Sequence, residues 1–492
     1  MRSDWWAAAI GALAGAIAIG FAASASGLID DDAYTFLRYA EHLAAGEGLA
    51  FNTGEPSAGI TSILWVLLLA GARWLTGAEL ILIAQAMGAL CFGAALALMV
   101  RTVESNGQPP ALARLAGIVA ALSPVFICQA ISGMEVGLNM LLVAAAIAGM
   151  GRRLTATTVA TGLAVATRPD NVLLAPLVVL FQPGKRWRTS AAVAIGIALC
   201  ALPWAAYCYD SGGTLLPPTR TGKLLVFLPG WYGVTLEQFS AMSWAERAGF
   251  SARALYRAAM LFSEGQARVL LPWLALVPFG LSQMAPRLIA PLVLLLLSAV
   301  TYAIEFPLVK LRYFVHLLPW LIPVALAGLF RVVDRRARHS GGGRSRPRLA
   351  LWMAIVVLHL ALCVRALPRY RNWVACEGVK TAAGQWLATH TAPSARLALE
   401  PIGAIGYHSR RYIIDIGGLL AADVWPVIRR GPGFEPDELL GYLRRRRANY
   451  LVDTVDGPWA GRLLATRPGA LQQQATINGP PGCAILSVYS LE

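Results

Sequence analysis

The residues best suited to chemistry form a short run just after the first apolar stretch: Asp30-Asp31-Asp32-Ala33-Tyr34, then Arg38-Tyr39-Ala40. Three consecutive carboxylates at a membrane interface repel one another, so at least one should have a raised pKa or a cationic partner. Asp31 and Arg38 are seven residues apart, on one face of a helix and two turns from each other. A single carboxylate would suffice to cap a juxtamembrane helix, so the surplus points to acid/base work or to a metal. A further acid, Glu135 in Ser132-Gly133-Met134-Glu135, opens an apolar segment. Three cations complete the set: Arg168 in Arg168-Pro169-Asp170, Lys223 after Pro217-Pro218-Thr219, and Arg312 in Lys310-Leu311-Arg312-Tyr313. Each borders an apolar segment on the side opposite to the most basic loop, where cations suit an anionic ligand such as a phosphate at the membrane surface.

The elements that must position these groups are membrane helices. Of 492 residues, 57% are hydrophobic and 14% charged, which excludes a soluble globular enzyme and a disordered binder. Apolar spans fall at about 5–28, 78–100, 113–131, 135–150, 154–167, 171–181, 189–208, 268–284, 288–306, 312–330 and 349–367. Two of them, 154–167 and 171–181, are too short to cross a bilayer unaided and meet at Arg168-Pro169-Asp170, where the backbone should break. The loop 331–348 holds Arg331, Arg335, Arg336, Arg338, Arg344, Arg346 and Arg348 against Asp334, and the positive-inside rule makes it cytoplasmic. Counting outward from it places 29–77, 209–267 and everything after 367 outside, provided that 61–76 lies in the interface without crossing.

The excess of 42 basic over 27 acidic residues follows from that same rule and implies no nucleic acid. The first span runs straight into the acid cluster with no clear cleavage motif, and is expected as a retained helix. The tail 368–492 changes in composition: Gly403, Gly406, Gly417 and Gly418 punctuate β-branched runs and Glu438 to Arg447 has a helical pattern, as expected of a small α/β domain. Five of the seven cysteines, Cys91, Cys128, Cys200, Cys208 and Cys363, sit in apolar spans without CxxC spacing; Cys376 and Cys483 lie in the tail and can pair if it is extracytoplasmic. His42, His316 and His408 are too scattered for metal spacing, and no nucleotide-binding or GxSxG element has the βα context it needs.

The string from Asp31 to Ser62, including Glu55-Pro56, resembles the first extracytoplasmic loop of GT-C fold glycosyltransferases, closest to the terminal arabinofuranosyltransferase-like members. Protein mannosyltransferases and the lipid A aminoarabinose transferase are more distant relatives. The resemblance recurs in Ser132–Glu135, Arg168–Asp170, Leu216–Thr219 with Lys223, Arg312-Tyr313 and Ile402–Leu419, in consistent order along nearly the whole chain. It implies a polytopic α-helical membrane protein with about 11 membrane helices, some short, comprising a transmembrane GT-C catalytic domain over 1–367 and a soluble extracytoplasmic α/β domain over 368–492. The setting it implies is a bacterial-type inner (plasma) membrane with the active site outside.

The activity so implied is inverting transfer of a sugar, arabinofuranose first, from a polyprenyl-phosphate donor to a cell-envelope glycan or protein; mannose or another sugar is the alternative. Residue by residue, Asp31 would be the general base, Asp32 and Glu135 would shape the site, and Asp31 with Glu135 could hold a divalent cation, Mg or Mn. Arg168, Lys223 and Arg312 would hold the donor phosphate, and Arg38, Tyr34, Tyr313 and Tyr407 would contact acceptor or sugar. The family's usual Pro-Asn-Thr reads Pro217-Pro218-Thr219 here. The tail residues Tyr407, Arg410, Arg411 and Asp415 are expected near the acceptor. A transporter of prenyl-linked glycans would instead place its ionisable groups at the midplane of repeated halves. These acids border the membrane and no internal repeat is present.

Overall fold

The computed structural model describes residues 2–24, 30–264, 266–308, 310–339, 345–420 and 422–491. The end of the expected first span, 25–28, and the part of the basic loop at 340–344, with its glycine triplet and Arg344, lie outside the described residues. Among the described residues, five helices are long and apolar enough to cross a membrane: Asp4–Ser24, Leu80–Ser105, Arg186–Gly212, Pro286–Glu305 and Ala350–His390. Val136–Gly149, Leu154–Thr167, Pro169–Phe181, Ala267–Gln283 and Leu318–Arg331 are shorter apolar helices, as is Ile63–Thr76.

The span expected as one piece over 113–131 is two helices, Pro110–Ala121 and Pro124–Ala130, bent by 63°. Hydropathy is continuous across the bend, but Pro124 lacks an N–H and pushes Ser123 out of the helical region. The chain divides into two compact units that do not follow its order: Met1–Ser26, Ala84–Ala201 and Ser251–Arg371 form one, and Gly27–Ile83, Leu202–Phe250 and Asn372–Glu492 form the other.

In the first unit, helices approach closely where side chains are smallest. A Cβ at Gly11 would strike the carbonyl oxygen of Gly93, and one at Gly93 would strike that of Gly11, so two apolar helices touch backbone to backbone. Polar groups in this interior are matched locally. At the bend, the Ser123 hydroxyl donates to Val119 O at 2.7 Å, and its Oγ lies 2.9 Å from His359 Nε2. Trp273 Nε1 donates to His359 Nδ1 at 3.4 Å, which assigns the ring proton to Nε2 and makes one directional chain from indole to carbonyl.

In the second unit, β1 (Ala50–Asn52) and β2 (Glu55–Pro56) form a small antiparallel pair. The C-terminal region holds a five-stranded mixed sheet built from β3 (Arg396–Leu399), β4 (Tyr412–Asp415), β5 (Tyr450–Thr454), β6 (Leu471–Ile477) and β7 (Leu486–Leu491). Their order is β4-β3-β5-β7-β6, with β3 parallel to β4 and β5, and β7 antiparallel to β5 and β6. One core joins Ala398, Ile414, Leu451 and Tyr489 of the sheet to Leu439 and Leu443 of the Pro436–Arg445 helix, and to Leu225 and Val226 of the Thr219–Tyr232 helix. Cys376 and Cys483 are bonded, with Cα atoms 5.0 Å apart.

Because His359 is the acceptor for the Trp273 indole, His359→Leu leaves a buried donor unmatched and should cost about 1–3 kcal/mol. Thermal unfolding in detergent should place it well below wild type, with His359→Gln between the two; equal midpoints for all three would refute the chain.

Candidate active site

In the second unit the three acids divide their work. Asp30 is the N-cap of the Asp31–Ala44 helix, its carboxylate accepting the Asp32 N–H at 3.1 Å. Capping therefore accounts for one acid only, and the other two reach elements distant in sequence. Asp32 Oδ2 accepts from Lys223 Nζ at 3.1 Å. Lys223 is held on the Thr219–Tyr232 helix, where Gly222 passes so close to Gly417 and Gly418 that a Cβ would collide with their backbone.

Asp31 is buried, and its Oδ1 accepts the Ala404 N–H at 3.0 Å and lies 3.9 Å from Lys380 Nζ. A Cβ at Gly403 would strike the Asp31 carbonyl, so only glycine lets the Gly403–Ser409 helix approach this closely. Lys380 also donates to Glu377 Oε2 at 2.9 Å, one turn earlier on the Ser345–His390 helix. Burial is the largest influence on Asp31 and raises its pKa; Lys380 and the Ala404 N–H oppose this, while Asp30 and Asp32 add to it.

Two more acids stand nearby. Asp415 collects the N–H groups of Gly417 at 2.8 Å, Leu420 at 2.7 Å and Leu419, and burial still pushes it up to about 6. Half-buried Glu400 has no hydrogen bond or ion pair among the described residues. Burial, then the Asp415 and Asp31 charges, push Glu400 up to about 7. Tyr34 packs against Tyr407 at 5.4 Å and His408 at 4.9 Å between ring centroids.

Arg38 is not placed as an acceptor contact. It donates to the carbonyls of Phe51 at 2.6 Å, Arg411 at 2.8 Å and Gly406, away from Asp31 despite their shared helix face. Arg411 is likewise committed, to Thr391 Oγ1 and to the carbonyls of Ala388, Thr391 and Ser409. Asp415 holds its own turn, and exposed Arg410 lies 3.8 Å from Glu41 Oε1.

The remaining expected residues belong to the first unit. Arg168 Nη1 donates to Glu135 Oε1 at 3.0 Å, Nε to Asp170 Oδ1 at 3.2 Å and Nη2 to Tyr302 Oη at 2.9 Å. Its guanidinium lies 5.0 Å from the Tyr313 ring, which stacks on Tyr302 at 4.9 Å; Arg312 lies 5.7 Å from the same ring. Arg168, expected as a phosphate cation, is thus committed to two carboxylates and a phenol. Glu135 Oε2 is buried without a hydrogen-bond partner among the described residues.

Among the described residues no group of three or more His, Cys, Asp or Glu is placed to hold a metal ion. Asp31 Oδ1 accepts the Ala404 N–H, with the Lys380 ammonium 3.9 Å away. Lys380, Glu377 and Glu400 escaped the sequence reading. The one signal for the first two is a Glu-x-x-Lys pair just after Cys376, and Glu400 carries none.

Two solved structures resemble the chain over nearly its full length. ArnT from Cupriavidus metallidurans bound to undecaprenyl phosphate is 13% identical, with 97% of each chain covered and a TM-score of 0.56. The same protein in the apo state is 13% identical, with 93% of each chain covered and a TM-score of 0.55. A family described only as a domain of unknown function, DUF8728, matches residues 369–484. No curated protein matches the chain. The chain is thus a polytopic α-helical membrane protein of the GT-C fold with a C-terminal strand-containing domain. The likeness reaches the fold and not a subgroup within it.

Glu400 should make stability fall with rising pH. Its folded pKa of about 7 lies above the unfolded value of 4.5, so its contribution is fully present below 4.5 and lost as pH rises through 7. Glu400→Gln should therefore gain in unfolding temperature relative to wild type between pH 5 and pH 8; a constant difference would contradict the assignment.

Proposed function

We propose that the chain is a glycosyltransferase that moves a sugar from a polyprenyl-phosphate donor to an acceptor hydroxyl on the extracytoplasmic side of the membrane. The observation that carries this reading is the buried Asp31 carboxylate at the first turn of its helix, held by Lys380 and the Ala404 amide, in a chain of GT-C fold. The undecaprenyl phosphate bound to ArnT supports a polyprenyl phosphate as the donor's lipid. The Cys376–Cys483 disulfide supports an extracytoplasmic tail, since such bonds persist in oxidising compartments. The likeness of the Asp31–Ser62 string to arabinofuranosyltransferase-like loops makes arabinofuranose the first sugar to test, with mannose and aminoarabinose next.

The chemistry divides unevenly between the two bonds. A prenyl phosphate leaves as a stable anion at neutral pH, so its departure needs cations and no proton donor. An acceptor hydroxyl does need a base, and Asp31, with its pKa raised by burial, is suited to take that proton as the hydroxyl attacks the anomeric carbon in line. Lys223 is the cation we assign to the phosphate, and Tyr34 with Tyr407 the aromatic surface for sugar or acceptor. Arg168 acts on Glu135 and Tyr302 instead.

The test is turnover by full-length protein in detergent against a panel of short-chain prenyl-phosphate sugars with a crude envelope acceptor, following prenyl phosphate release and product mass. Asp31→Asn should lower turnover about 10²- to 10⁴-fold with folding intact. Undiminished transfer by that variant would overturn Asp31 as base. No release from any donor by folded wild type would favour transport of a prenyl-linked glycan.

A further inference from the structure

Lys380 has no place in the reading above beyond its proximity to Asp31, yet its surroundings are specific. Its ammonium is the one within 4 Å of Asp31 among the described residues, at 3.9 Å from Oδ1, and it bonds Glu377 Oε2 at 2.9 Å. Carboxyls from several elements crowd Asp31 among the described residues. Asp30 and Asp32 flank it on its own helix, Glu377 comes from the Lys380 helix, and Glu400 from the segment after β3. Tyr34 on the same helix is neutral, the Gly403–Ser409 helix contributes the Ala404 N–H, and Lys223 is paired with Asp32. A buried carboxylate among like charges favours its protonated form, in which it cannot act as a base.

We propose that Lys380 is a positioning residue of the transfer, holding Asp31 as an aimed carboxylate before reaction and resting on Glu377 once Asp31 has taken the proton. The proposal rests on Asp31 being the general base. In the balanced step, the acceptor O–H bond breaks and its proton passes to an Asp31 oxygen. The acceptor oxygen bonds the anomeric carbon, and the bond from that carbon to the phosphate oxygen breaks with its electron pair leaving on the phosphate. Asp31 then returns the proton to water. Lys380 stays protonated throughout. Because Glu377 already accepts its hydrogen bond, the ammonium faces an anion in both states of Asp31, and neutralising Asp31 strands no buried charge.

The experiment uses the full-length protein with whichever donor the panel identifies, and reads kcat/KM against pH for Lys380→Met, Lys380→Arg, Glu377→Gln and Asp31→Asn. Lys380→Met should lose tenfold or more at pH 7 and move the acidic limb up by a unit or more, so that its deficit narrows at high pH. Lys380→Arg should recover most of the rate. Glu377→Gln, which removes a negative neighbour and leaves the ammonium to Asp31, should move the limb to lower pH. That variant decides the matter if Lys380→Met does not fold. A loss in Lys380→Met that is equal at all pH values, or an unmoved limb in Glu377→Gln, overturns the proposal while an inactive Asp31→Asn keeps the base assignment. An active Asp31→Asn overturns the base assignment itself.

Discussion

The second unit depends on one meeting of residues far apart in sequence: the helix that begins at Asp31 lies against the Gly403–Ser409 helix and the start of β4. Arg38 ties them by donating to the carbonyls of Gly406 and Arg411 as well as to Phe51 of β1. Asn52 adds a reciprocal pair with the Ile413 backbone, donating to its carbonyl and accepting its N–H at 2.9 Å each. Hydrogen bonds to a charged donor are worth more than neutral ones, and removing the arginine would take that donor from three carbonyls in the interior. The acid site follows from this contact, since Ala404 reaches Asp31 only because Gly403 carries no side chain. The C-terminal sheet and the first loop are thus parts of one folded unit, and residues 372–492 supply Lys380, Glu400 and the Ala404 N–H near Asp31.

The first unit solves a different problem, that of keeping polar groups inside apolar helices. Arg168 stands where Pro169 interrupts two short helices, a break that frees backbone groups as well as placing a charge. Two carboxylates and a phenol take up the guanidinium, and Asn171 bonds Asn139 at 2.6 Å and Ala164 O at 2.8 Å across the same break. His359 does comparable work at the Ser123 bend. In both places a kink that hydropathy alone would discourage is stabilised by side chains that satisfy one another, and each break fixes the orientation of the groups beside it.

The sequence carried the parts of this structure that depend on local composition. Mean hydropathy, the Pro and Gly positions and the run of acids are properties of neighbouring residues, and the apolar helices, the short helices meeting at Arg168 and the helix starting at Asp31 follow from them, whereas the GT-C fold was legible only through resemblance. What stayed hidden is tertiary. Arg38 shares a helix face with Asp31, but its partners come from residues 51, 406 and 411. Arg168 reads as an unpaired cation until Tyr302 and Glu135 are brought to it. The bend at Ser123 lies within a stretch apolar enough for one span, so only the geometric effect of Pro124 could have announced it.

The division of the three acids also bears on how far fold likeness can carry function. At 13% identity over 97% of each chain, what the chain shares with ArnT is the path of its backbone, which the glycines at close approaches and the helix breaks maintain. A backbone path does not choose which carboxylate is free. Here Asp30 is used by its helix end and Asp32 by Lys223, while Asp31 has an ammonium at 3.9 Å and an amide N–H at 3.0 Å. A carboxylate locked in a short ion pair is a poor base because deprotonating a substrate must first break that pair, whereas one whose cation has a second anion at 2.9 Å gives up little on becoming neutral. That physical criterion, and not position in the run, is why Asp31 is the proposed base among the three.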